Sequence, residues 1–264
     1  MIDVSPLSSD NLIDVQSSLS GAKWVSQPSD FRDDVVRRQT LRLQETHGLH
    51  PAMCHYLARK GVFSDEVDAY LEPKLRMLLP EPFSFKGIEE ATQRLVHAVE
   101  QQEKIGIFGD YDVDGACSAA LFHKVLTSLG CNVEIHIPDR FTEGYGPNIS
   151  ALQKLKDNNA SVILTVDCGI TAHESLNAAS AGGLDVIVID HHLAGPVLPN
   201  VTAVVNPNRL DDESGFGFLC AAGVCFITCV ALIRALRKIG YTELPDLLTF
   251  VDLVGLATLC DVVP

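Results

Sequence analysis

The spacing of apolar positions changes once along the chain. From about residue 31 to 101 they recur every three or four residues among charges, the period of helices lying on a core. "DDVVRRQTLRLQETHG" has this spacing and stops at Gly48, and "HPAMCHYLARKGV" reads as a second short helix ending near Gly61. "SDEVDAYLEP" follows, with Ser64 as its N-cap and Pro73 beyond its end. "GIEEATQRLVHAVEQQE" is the longest helix of this half, and residues 1–30 read as a lead-in anchored by Trp24. None of these segments carries a catalytic constellation.

From Lys104 short apolar runs alternate with helical periods. "KIGIF", "NVEIHIP", "SVILTVD", "DVIVID" and "TAVVNP" read as strands. Between them "ACSAALFHKVLTSLG", closed by Gly130, "NISALQKLKDNN" and "TAHESLNAASAGG" read as helices. Strands that are apolar on both faces and alternate with helices predict an α/β fold with a parallel sheet flanked by helices. The expected division is a helical N-terminal region over 1–102 and a sheet domain over 103–264. Two apolar helices close the chain, "CAAGVCFITCVALIRALRKIG" and "LPDLLTFVDLVGLATLC", the first apolar nearly all round and so buried.

Composition adds little to this picture: 47% hydrophobic and 20% charged are ordinary for an α/β protein. No run of about 18 apolar residues suggests a membrane span, and the acidic, polar start excludes a standard secretory signal. None of the eight cysteines forms a C-x-x-C pair, which points to a reducing cytoplasm without a disulfide framework. Cys220, Cys225 and Cys229 lack a fourth partner for zinc and read as buried thiols. The formal charge of −14 argues against a nucleic-acid binder, but carboxylates gathered around cations would be offset by the metal.

The stretch "GDYDVDG" at 109–115 sets three aspartates at alternate positions. An EF-hand loop begins this way, but it needs a glutamate twelve residues on, and counting from Asp110 places Leu121 there. An EF-hand loop also follows a helix, whereas Asp110 follows a strand. In open α/β sheets ligands sit at the carboxyl ends of the strands. Three strands here end in titratable residues: Asp110, Asp112 and Asp114; Asp167; and Asp190, His191 and His192. In a parallel sheet these tips converge, and close carboxylates cannot all ionise unaided. Mixed oxygen and imidazole donors favour two Mn²⁺ or Mg²⁺ ions, the histidines tilting the choice toward Mn²⁺. Each residue also has an ordinary alternative: Asp114 and Asp167 precede helices and could be N-caps.

"DYDVDG", "VDCG", "DHH" and "GLATLCDVVP", in this order, resemble motifs one to four of the DHH phosphoesterase superfamily. "IPDRFTEGYG" (137–146), "NPN" (206–208), "LCAAGVCF" (219–226) and the helical lead-in resemble its branch of single-strand-specific 5′→3′ DNA exonucleases. The resemblance covers about residues 22–264. It implies metal-dependent hydrolysis of phosphodiesters that releases 5′-mononucleotides, in DNA recombination and repair. Asp112, Asp114, Asp167, His191 and Asp261 are then the metal ligands, with Asp167 bridging two ions, and Asp167, His191 and His192 form the catalytic set. His192 contacts the scissile phosphate, Asp190 orients the histidines, and Arg140 clamps a phosphate. Relatives outside the branch carry a histidine where Phe108 stands, so Asp110 is a candidate substitute ligand.

Single-stranded DNA is the implied partner, with a helicase and a single-strand-binding protein expected through the resemblance alone. Members of the branch continue well past motif four, so the expectation is an N-terminal portion without the second core domain and the OB-fold, exposing apolar helix surface. Two rivals remain: a small-substrate phosphatase or oligonucleotidase of the same superfamily, and a non-catalytic scaffold that has lost its metal.

Overall fold

A computed structural model describes residues 33–263; Trp24 lies outside the described residues. Those residues form two compact units, divided between Leu79 and Pro80.

The first unit holds α1 (Asp33–His47), α2 (Pro51–Arg59), α3 (Val67–Leu71) and α4 (Leu75–Leu78). Proline at the first position of α2 costs no hydrogen bond, and the His50 ring accepts from Ala52 N–H at 3.3 Å. Leu43, Cys54, Leu57, Ala58, Val62 and Val67 form the small core. Ser64 does not cap α3. The helix starts three residues later, the Ser64 hydroxyl pairs with His47 Nε2 at 2.9 Å, and the Glu66 carboxylate takes Phe63 N–H at 2.8 Å.

The second unit is built on β1 (Lys104–Gly109), β2 (Asn132–His136), β3 (Val162–Val166), β4 (Asp185–Ile189) and β5 (Ala203–Val205). All pair in parallel, in the order β2-β1-β3-β4-β5, so the expected parallel α/β sheet is present. α7 (Ile149–Asp157) and α8 (His173–Ala181) pack together, and Leu152, Leu155 and Leu176 meet Ile163, Val186 and Val188 of the sheet. α6 (Val113–Ser128), α5 (Ile88–Glu100) and α9 (Ala221–Lys238) form a second helical layer. α9 is buried along almost its whole length, as its composition demands. A 3-10 turn (Leu247–Phe250) leads into α10 (Val251–Cys260), which packs on α6 and α9 while Leu256 and Leu259 stay exposed.

Two boundaries differ from the sequence reading. α6 begins at Val113, three residues before the expected start, because the Asp112 side chain caps it through Gly115 N–H at 2.9 Å. The sheet unit begins at Pro80 rather than near residue 103, because α5 packs on β5 and α9. Arg94 of α5 pairs with Asp185 at the foot of β4 and with Glu103, each at 2.6 Å. Gly87, just before α5, has φ +77° and lies so close to the Val204 carbonyl that a Cβ there would collide with it.

Gly87→Ala therefore meets both a left-handed backbone and a steric clash. It should destabilise the protein by roughly 2–4 kcal/mol, read as a lower denaturation midpoint.

Candidate metal centre

The register of the sheet decides which side chains meet. Gly109 pairs with Val166, Val166 with Ile189, and Ile189 with Val205. The next residue on each strand is therefore Asp110, Asp167, Asp190 and Asn206. Their N–H groups continue the ladder: Asp110 N–H donates to Val166 O, Asp167 N–H to Ile189 O, and Asp190 N–H to Val205 O. All four are buried, none more than 4% exposed. The strand order reverses between β1 and β3, the place where such sheets open a crevice at their carboxyl ends.

Around this row the expected residues assemble. One donor atom from each of Asp110, Asp112 and Asp167 lies within 4.8 Å of the others, and the same holds for Asp114, His191 and Asp261 and for Asp167, His191 and His192. His191 Nε2 stands 3.4 Å from Asp167 Oδ1, 3.7 Å from Asp261 Oδ2 and 3.8 Å from Asp114 Oδ2. Asp261 is brought in from the C-terminal end of α10.

Each aspartate has a distinct environment. Asp190 is buried, which alone would raise its pKa. Hydrogen bonds from His192 Nδ1 (2.7 Å) and from the N–H groups of Ile170, His191 and His192 outweigh this and hold it below the usual carboxylate value. An ionised Asp190 in turn raises the pKa of His192 and keeps a proton on its Nδ1. Asp114 is not the N-cap that its position suggested. Both its oxygens accept N–H groups from the first turn of α9, Ala221 at 2.6 Å and Ala222 at 2.7 Å. Burial still raises its pKa, partly offset by those two bonds. Asp110 is also raised by burial, and Tyr111 N–H at 2.8 Å offsets part of that.

Asp167 has no such relief. It caps no helix, since α8 starts at His173 after Ala172. Its φ of +60° is left-handed, a conformation aspartate tolerates better than most residues. Burial and the neighbouring Asp114 and Asp112 push its pKa up to about 10. Asp167 Oδ1 and His191 Nε2 are both buried, and neither has a hydrogen-bond partner. Two orphaned donors facing each other between two carboxylate groups are what a divalent cation would satisfy. The residues present fit such an ion.

Arg140 is not drawn into the cluster. It is exposed, its guanidinium 5.4 Å from the centre of the Tyr111 ring. Tyr111 meets Tyr145 edge-on at 6.3 Å, and Tyr145 meets His192 at 6.4 Å. An open cleft of about 720 Å³ lies beside Tyr145, lined also by Asn148, Gly169 and His173. Phe108 is fully buried and stacks on His136. Cys220, Cys225 and Cys229 are buried free thiols, and among the described residues no cysteine joins a metal-ligand group. The sequence reading missed Tyr145, Asn206 and the two α9 N–H groups. "NPN" and "LCAAGVCF" marked those places, but their register with the strand tips is visible only in the sheet.

The DHH family, N-terminal domain, matches residues 104–255. The chain is 38% identical over 245 residues to the single-stranded-DNA-specific exonuclease RecJ of Bacillus subtilis, covering 93% of this chain and 29% of that protein. It is 36% identical over 222 residues to the RecJ of Escherichia coli, covering 82% of this chain and 38% of that protein. Among solved structures, RecJ of Thermus thermophilus in complex with Mn²⁺ superposes with a TM-score of 0.68 at 30% identity, over 86% of this chain and 31% of the other. The chain thus spans about a third of the length of these relatives.

A carboxyl group whose pKa rises on folding stabilises the fold fully below the unfolded value, and that stability is lost as pH climbs through the folded value. For Asp167 the window runs from its ordinary 3.8 to about 10. In chelator, Asp167→Asn should remove this loss. Its stability advantage over the wild type should widen between pH 5 and pH 8, by up to about 1.4 kcal/mol per pH unit. Urea midpoints at the two pH values check this.

Proposed function

The chain belongs to the DHH family, and from that premise we propose that it carries the metal-dependent catalytic portion of a single-strand-specific 5′→3′ exodeoxyribonuclease. The observation that carries the reading is the pair of orphaned atoms, Asp167 Oδ1 and His191 Nε2, set between two groups of carboxylates. Asp110, Asp112 and Asp167 would hold one divalent cation. Asp114, His191 and Asp261 would hold the other, with Asp167 shared. Imidazole among the oxygen donors favours Mn²⁺ over Mg²⁺. When bound, such a pair lowers the pKa of water and neutralises charge growing on phosphoryl oxygens.

The chain's own side chains do the rest. His192, half exposed at the mouth and held by Asp190 through Nδ1, turns Nε2 toward the substrate as a hydrogen-bond donor when protonated. The α9 N–H groups hold Asp114 so that it cannot swing away from His191. The cleft beside Tyr145 is of a size suited to a nucleotide. Arg140, exposed with its guanidinium 5.4 Å from the centre of the Tyr111 ring, is the candidate to meet a backbone phosphate. Single-stranded DNA as substrate is supported by the RecJ relatives. A helicase and a single-strand-binding protein as partners rest on resemblance alone. Among the described residues no helix is long and apolar enough to cross a membrane. Eight free thiols support a reducing compartment, the cytoplasm.

Manganese titration followed by nuclease assay tests this. Mn²⁺ should bind with release of about one proton at pH 7.5, because Asp167 must ionise. Degradation should start from free 5′ ends of single strands, and Asp167→Ala should lower it about a hundredfold or more. Dinucleotides cleaved as fast as long strands would favour the small-substrate reading, and no Mn²⁺ binding would favour the scaffold.

A further inference from the structure

Three tips of the sheet and the end of α10 supply the donors of the metal centre, but the last residue of the buried row, Asn206, supplies none. Its side chain divides its work. Oδ1 accepts Asn208 N–H at 2.7 Å, an ordinary local turn. Nδ2 instead reaches fourteen residues back and donates to the His192 carbonyl at 2.9 Å. Asn208 Nδ2 donates to the His191 carbonyl at 2.5 Å and to the Gly217 carbonyl at 3.0 Å. His191 and His192 leave β4 on irregular backbone, with no helix following to hold them. Among the described residues these two amides are the donors that reach their carbonyls.

We propose that Asn206 and Asn208 are positioning residues that fix the histidine pair at the metal centre, with Gly217 as the seat that keeps Asn208 in place. This rests on the metal-binding reading above. Asn206 is fully buried, so its amide cannot trade these partners for water. A Cβ at position 217 would collide with Asn208 Oδ1, so any side chain there displaces the amide. Gly217 does not need a left-handed backbone, so it is free of the usual conformational reason for glycine. The loop around it is itself braced. Phe216 stacks on Phe85 at 5.6 Å, and Asp212 accepts Lys86 N–H at 2.9 Å. Four and five residues after Gly217 the same segment offers Ala221 and Ala222 N–H to Asp114. One stretch, 206–222, which contributes no ligand, thus grips ligands from two strand tips.

The test uses the whole chain and four variants: Asn206→Ala, Asn208→Ala, Gly217→Ala and the double Asn208→Ala/Gly217→Ala. Each is read for Mn²⁺ affinity by calorimetry, for ¹⁴N coupling to bound Mn²⁺ by electron spin-echo, and for the imidazole ¹H–¹⁵N peaks of the metal-free protein. Asn206→Ala and Asn208→Ala should each weaken Mn²⁺ binding about tenfold or more, reduce the ¹⁴N coupling and shift the His191 and His192 peaks while those of His97 stay in place. Gly217→Ala should reproduce all three, and the double variant should be no worse than Asn208→Ala. Unchanged affinity, coupling and histidine peaks in Asn206→Ala or in Asn208→Ala would overturn the proposal, as would full additivity in the double variant. A wild type that binds no Mn²⁺ defeats the metal reading separately, and the metal-free imidazole peaks then still decide whether the asparagines set the histidines.

Discussion

Parallel pairing forces Asp110, Asp167, Asp190 and Asn206 side by side in a buried row, and three negative charges cannot share such a place without relief. The surrounding structure can be understood as the different reliefs provided. Asp190 receives a histidine and backbone N–H groups. Asp114, in the first turn of α6, receives the amino end of a buried helix, where partial positive charge gathers. Asp110 receives the N–H of its own neighbour. Asp167 is left over, and its place between the two donor groups makes it the point at which the protein alone is incomplete.

That division separates two kinds of residue that composition alone lumps together. The N–H groups and the imidazole that hold Asp190, Asp114 and Asp110 form the frame, and Asp167, which receives none of them, marks the centre of the socket. The −14 charge therefore says little about affinity for a polyanion, since part of it is lodged where cations belong. It also explains why α9 is apolar all round. It inserts its first turn into the charged edge while the rest of its length fills the space between α5, α6 and the sheet.

Much of this was readable before any coordinates. Four of the five strands are short apolar runs, β2 alternates apolar with polar residues, and their parallel pairing follows from helices between them. The convergence of three acidic tips follows from that pairing. What could not be read depends on competition between nearby groups. Ser64 is a good cap by type, yet His47, distant in sequence, takes its hydroxyl. Asp112 and Asp114 both stand at the start of a helix, and only the fold shows that Asp112 caps it while Asp114 is claimed by α9. α5 resembles the preceding helices in composition, but Arg94 and Gly87 bind it to the sheet unit. Asn206 gave no chemical signal, because its importance lies in its register with Asp190.

The row has a further consequence for how such a protein tolerates change. Side chains on a strand alternate faces, so a single residue gained or lost within β3 would bring Val166 or Cys168 to the edge in place of Asp167. The hydrophobic layers could absorb that shift better than the chemistry could. Strand length here acts as a ruler, and insertions or deletions in the apolar runs would be silenced by loss of the centre long before they were purged for misfolding.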